Sequence, residues 1–143
     1  MNTQLEFPDF FDPDYEQYQK DNGVFDDPRD KSVGDMVSEF AYTAEQEQDA
    51  ERALRLLEEE YAEWQTAYAG PSDTDELKEL ADLVYVIYGY ADSCGFNLDE
   101  AVRRVHDNNM GRMFQEDGTI KRREDGKVLK NPLYPKVNLE DLV

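Results

Sequence analysis

Two adjacent stretches of the chain leave little choice of fold. From Ala50 to Tyr68 the apolar residues Ala50, Leu54, Leu57, Tyr61, Trp64 and Tyr68 recur at alternating steps of four and three. That spacing keeps side chains on one stripe of an α-helix. Gly70-Pro71 stops the helix, and Asp73, with Glu76 three residues on, is the expected cap of the next. The second helix runs to Gly95, a residue suited to the left-handed position after a helix end. Over residues 80–91 it is apolar almost all round, with Leu83, Val84, Tyr85, Val86, Ile87 and Tyr88 in succession. A helix of that composition is buried on most sides, which a small domain achieves best at an oligomer interface. The expectation is an all-α helical bundle, oligomeric as a dimer or tetramer.

The flanks fit this centre. Val33, Met36, Val37 and Phe40 predict a helix over residues 33–42, and Asn97 with Glu100 three residues on predicts the start of another. That last helix carries Leu98, Ala101, Val102 and Val105 on one face. After Met113 the turn dipeptides Asp117-Gly118 and Asp125-Gly126, then Pro132 and Pro135, predict a short C-terminal hairpin or ordered tail. Residues 1–31 mix Phe7, Phe10, Phe11, Tyr15, Tyr18 and Phe25 with acids and prolines. They read as an acidic, aromatic-rich arm with a short helix at residues 15–20, set apart from a domain spanning 32–143.

Charge narrows the function. The net charge is −19, from 34 acidic and 15 basic residues, which argues against a nucleic-acid backbone as the main ligand. The basic residues gather late, with Lys121, Arg122, Arg123, Lys127 and Lys130 close together, where an anion can be received. Cys94 is the only cysteine, so no intrachain disulfide forms, and it reads as packing. His106 is the only histidine, which rules out a His-based metal site. The acidic start lacks the basic and apolar regions of a signal peptide, and the longest apolar stretch is too short to span a bilayer. The expectation is a soluble cytoplasmic protein with neither a membrane nor a nucleic acid as partner.

The chemistry lies in two acidic clusters, Glu59-Glu60-Tyr61-Ala62-Glu63 and Glu79-Leu80-Ala81-Asp82. At about 100° per residue, Glu60 and Glu63 share one flank of the first apolar stripe, and Glu79 and Asp82 share a flank of the second. If the helices pack antiparallel through those stripes, four carboxylates converge at the edge of the seam. Oxygen-only ligands at this spacing suit hard cations such as Mg²⁺ or Mn²⁺. The competing reading is a solvated acidic face. Two details favour the metal: the acids border the stripes instead of opposing them, and Asp82 interrupts a nearly all-apolar helix, where a half-buried acid needs a partner. Trp64 and Tyr61 lie in the stripe and read as core more readily than as base-stacking groups.

Glu59-Glu60-x-x-Glu63, fifteen residues, then Glu79-x-x-Asp82 resembles the signature of the MazG-like all-α nucleoside triphosphate pyrophosphohydrolases, which include MazG, dimeric dUTPases, dCTP pyrophosphatases and phosphoribosyl-ATP pyrophosphohydrolase. Leu56-Leu57 before the first cluster, the run 79–86 through the second, Val105-His106-Asp107-Asn108-Asn109-Met110 and the segment 125–130 extend the resemblance to phage and bacterial single-domain members. It covers the chain from about Val33 onward and leaves the arm unmatched. The resemblance implies conversion of a nucleoside triphosphate to monophosphate and pyrophosphate, in the host cytoplasm if the chain is phage-encoded. It implies Glu60, Glu63, Glu79 and Asp82 as ligands of Mg²⁺, with Mn²⁺ able to substitute, and Glu59 as a further ligand or the base that orients water. Asn109 would meet the sugar or base, or is a polar helix-face residue. Arg112, Lys127 and Lys130 would bind phosphates, or are surface charges. Many relatives carry Lys where this chain has Arg112. A nucleoside or deoxynucleoside triphosphate, with dGTP or another purine deoxynucleotide first, is the expected substrate. The alternatives are phosphoribosyl-ATP, or a non-enzymatic acidic protein that mimics nucleic acid.

Overall fold

In a computed structural model, residues 30–143 are described, and they form four α-helices, a 3₁₀ turn and no strand. Residues 1–29 of the expected N-terminal arm, with its helix at residues 15–20, lie outside the described residues. Helix α1 (Val33–Thr43) starts at Ser32 in a reciprocal capping box. The Ser32 hydroxyl accepts from the Asp35 backbone N–H, and the Asp35 carboxylate accepts from the Ser32 N–H. Helix α2 (Ala50–Tyr68) is capped by Asp49, which accepts from the Arg52 N–H. Helix α3 (Asp73–Cys94) corrects one expectation: its cap is Ser72, whose hydroxyl accepts from the Asp75 N–H. Asp73, expected as the cap, is instead the first helical residue. There, with Asp75 and Glu76, it faces the positive end of the helix dipole. Gly95 closes α3 at φ 73°, the left-handed conformation that favours glycine. Asn97 caps α4 (Leu98–Arg112) as its position predicts.

The antiparallel pair α2 and α3 is the main packing of the fold; α1 lies against α3, while α4 touches α1 and α3 at few positions. Local bonds fix these seats. The Asp99 carboxylate accepts from the Ser32 hydroxyl at 2.5 Å and the Gly34 N–H at 3.3 Å, so the starts of α1 and α4 are tied together. Ser38 donates to Asp92 at 2.7 Å, and the Phe40 ring meets Tyr85 edge-on at 5.8 Å.

The tail is ordered but contains no strand ladder. Two single antiparallel bridges, Phe114 with Ile120 and Arg122 with Val128, close turns around Gly118 and Gly126, both at positive φ. The chain then runs back along α4. Pro135 accepts from Asn108 at 2.8 Å, Asp141 pairs with Arg104, and the carbonyl of Leu142 accepts from the Asn97 N–H.

Only Val37, Ala53 and Ala91 are buried among the described residues, and none of them completely. The deep burial expected for residues 80–91 is not reached in the single chain: Leu80, Val84 and Ile87 remain exposed. The reason is geometric, because α2 and α1 cover only two sides of α3.

Candidate metal centre

Glu60 sits at the middle of α2, facing α3, and Glu79 and Asp82 lie one turn apart near the start of α3. An antiparallel pair joined by a short turn brings these levels together. One oxygen from each of the three carboxylates lies within 4.8 Å of the others. Oxygens around an octahedral Mg²⁺ at about 2.1 Å are roughly 3–4 Å apart, so the cluster needs only a small contraction to hold an ion.

The electrostatics point the same way. Glu60 Oε2 and Glu79 Oε2 are buried with no hydrogen-bond partner, an arrangement that costs free energy unless something else compensates. Burial pushes the Glu60 carboxyl above the usual glutamate range, and the negative charges of Glu63, Asp82 and Glu79 push it further. Orphaned, mutually repelling carboxylate oxygens fit a hard cation better than they fit any partner within the chain.

The other residues singled out in the sequence are more scattered. Glu63 is exposed and outside the three-carboxylate group, though near enough to raise the Glu60 pKa. Glu59 is exposed and outside the group. Asn109 is exposed on α4. Arg112 is half-buried, its Nη1 3.4 Å from Asn108 Oδ1 and its Nε without a partner. Among the described residues no hydrogen bond or ion pair joins Asn109, Arg112, Lys127 or Lys130 to the carboxylates. Part of the basic tail is used internally, since Arg123 pairs with Asp125 and Arg122 donates to the Gly126 carbonyl. The Trp64 ring lies between Tyr61 and Tyr68, with centroids 5.9 and 5.8 Å away, and its indole N–H has no partner.

Two features escaped sequence reasoning. Lys78 reaches into the cluster, with its ammonium 2.5 Å from Asp82 and 3.4 Å from Glu79. The signal was there in its i,i+4 spacing to Asp82. The second is a cleft of about 120 Å³, walled by Val37, Phe40, Ala53, Leu56, Tyr85 and Gly89, with Arg52 and Asp92 at its polar rim. Leu56 is one turn before Glu60, and Tyr85 lies three residues after Asp82, so two of its walls lie about one helical turn from the carboxylates, none of which lines the cleft. A side chain added at Gly89 would meet nothing within 4 Å. Hydropathy shows Gly89 only as a break in an apolar run; its space depends on α1, which packs there from elsewhere in the sequence.

In comparison with known families, residues 30–109 match a family model described as phosphoribosyl-ATP pyrophosphohydrolase. The match includes Glu60, Glu79 and Asp82 and covers more than half of the chain. A search of curated proteins finds no match.

Proposed function

Because the chain belongs to the phosphoribosyl-ATP pyrophosphohydrolase family, whose members are metal-dependent nucleotide pyrophosphohydrolases, we propose that it cuts a nucleoside or deoxynucleoside triphosphate between the α- and β-phosphates. The products are the monophosphate and pyrophosphate. The observation that carries this reading is the convergence of Glu60, Glu79 and Asp82 with two buried oxygens lacking any partner. These three carboxylates would hold Mg²⁺, replaceable by Mn²⁺, and Glu63, whose charge reaches Glu60, would be the fourth ligand. When bound, the ion neutralises phosphate charge and lowers the pKa of a water. Glu59, on the exposed side of α2, acts as a further ligand or orients that water.

The apolar cleft between α1, α2 and α3 receives the planar base, with Phe40 and Tyr85 as its aromatic walls. A purine, dGTP first, is the proposed base. Asn109 is assigned to the sugar or base, and Arg112, Lys127 and Lys130 to the phosphates. The orphaned Nε of Arg112 supports its share of that role. The protein acts in the cytoplasm as a homo-oligomer. Its oligomer forms through an exposed apolar face: Leu54, Tyr61 and Tyr68 on α2 and Leu77, Leu80, Val84 and Ile87 on α3. No helix among the described residues is long and apolar enough to cross a membrane.

The description of the matched family favours a second reading, phosphoribosyl-ATP as substrate. One experiment separates the two. The protein is incubated with Mg²⁺ and a panel of ribo- and deoxynucleoside triphosphates plus phosphoribosyl-ATP, and the products are resolved by chromatography. Pyrophosphate with the matching monophosphate from a triphosphate is the expected result. Cleavage of phosphoribosyl-ATP alone selects the second reading, and no cleavage of any compound overturns both in favour of an acidic binding protein.

A further inference from the structure

Lys78 is the one cation paired with the three-carboxylate cluster among the described residues, bridging Asp82 at 2.5 Å and Glu79 at 3.4 Å. Its position is not what helix stability would select. In an i,i+4 pair the acid is better placed N-terminal to the base, and here the base comes first. Lys78 is the sixth residue of α3, past the first turn where the helix dipole acts, so the dipole does not select a cation there either. The bland explanation, a surface ion pair supporting its own helix, therefore accounts poorly for a lysine at this site.

The site itself supplies a reason. Glu60, Glu79 and Asp82 have oxygens within 4.8 Å of one another, and Glu63 adds a fourth negative charge nearby. Without a counter-charge the cluster repels itself. The Lys78 side chain is 65% exposed, whereas that of Glu79 is only 20% exposed. Its ammonium thus reaches in from solvent on a flexible stem and can withdraw without disturbing the fold. One ammonium leaves Glu60 Oε2 and Glu79 Oε2 unsatisfied, so a divalent ion still has reason to displace it.

We propose that Lys78 is a built-in counter-cation of the carboxylate cluster, holding it assembled without metal and lowering metal affinity because it must leave Asp82 when the ion enters. This inference rests on the metal-site reading above. Removing the charge should tighten divalent-ion binding even though an ion pair is lost.

Free Mn²⁺ is followed by electron paramagnetic resonance as it is titrated into the full chain. The proteins compared are the wild type, Lys78→Gln, Lys78→Arg and the control Glu60→Gln/Glu79→Gln. Lys78→Gln should bind about three- to tenfold more tightly at low salt, and Lys78→Arg close to wild type. In chelator Lys78→Gln should melt below wild type, with the gap closing when Mn²⁺ is added. Equal or weaker Mn²⁺ binding by Lys78→Gln, while the control loses the site, overturns the role of Lys78 alone. A control that binds like wild type overturns the metal site and this inference with it.

Discussion

The two long edges of the α2–α3 pair are built from the same helices and are unfinished in opposite ways. One carries Glu60, Glu63, Glu79 and Asp82, with buried oxygens that no group satisfies. Helical spacing places Leu54, Tyr61, Tyr68, Leu77, Leu80, Val84 and Ile87 on the other, where Tyr68 and Leu77 are 68% and 67% exposed. The first edge has one ammonium, Lys78, against four carboxylates, and the second lacks a surface to bury against. The difference teaches that one helix pair can be addressed by two independent tests, since a metal answers only the first edge and protein concentration only the second.

The largest effect should come from the charged edge. Glu60→Gln or Asp82→Asn keeps side-chain volume and removes a ligand charge. Each should cut kcat by about a hundredfold or more, the scale of several kcal/mol of transition-state stabilisation, with the melting temperature and oligomeric state retained. Full turnover in either variant would break the assignment of this edge. The apolar edge is tested by Leu80→Glu/Ile87→Glu, which should convert the oligomer into a less stable monomer by light scattering. An unchanged mass in that variant, or a wild type that is monomeric at micromolar concentration, would show that the stripe is not an interface.

Smaller effects sharpen the boundary of the charged edge. Gly89→Leu should fill the cleft and raise KM for nucleotides about tenfold, with Mn²⁺ affinity unchanged; an unaltered KM would remove the cleft from the substrate path. Lys127→Glu/Lys130→Glu should raise KM severalfold at low salt and less at high salt, because exposed charges are screened. An unchanged KM at low salt would take both lysines off the site.

The pH dependence follows from Glu60. Its folded pKa is raised, so the metal-free chain is most stable while Glu60 is protonated, below the ordinary glutamate value, and loses that stability as pH rises through the folded value. A bound cation takes the ionised form. The gain in melting temperature with Mg²⁺ should therefore grow as pH rises through that window, in scans between about pH 4 and pH 8. A gain independent of pH would place the ion elsewhere.

Much of this was legible in the sequence because it depends on local spacing. The apolar steps of four and three set α2, Gly95 ended α3, Asn97 opened α4, and Glu60, Glu79 and Asp82 came together because their helices are antiparallel with a short turn. Local competition defeated the cap of α3, where Ser72 and Asp73 are both good cap residues and Pro71 leaves the earlier one in place. The turn dipeptides predicted order after Met113 but not the return along α4, which depends on Asn108, Arg104 and Asn97 bonding with residues about thirty to forty-five positions later. The cleft was illegible for the same reason, since α1 supplies a wall to helices well beyond it in sequence. Lys78 was missed because one lysine in an acidic run reads as surface charge until its ammonium is seen beside Asp82.

The central claim, that Glu60, Glu79 and Asp82 form a divalent-metal centre, is met most directly by crystals grown with Mn²⁺ and an anomalous difference map. The account predicts a peak bounded by Glu60, Glu79 and Asp82, with the Lys78 ammonium displaced from Asp82. A map with no peak there, and Lys78 still seated on Asp82 at saturating Mn²⁺, would contradict it.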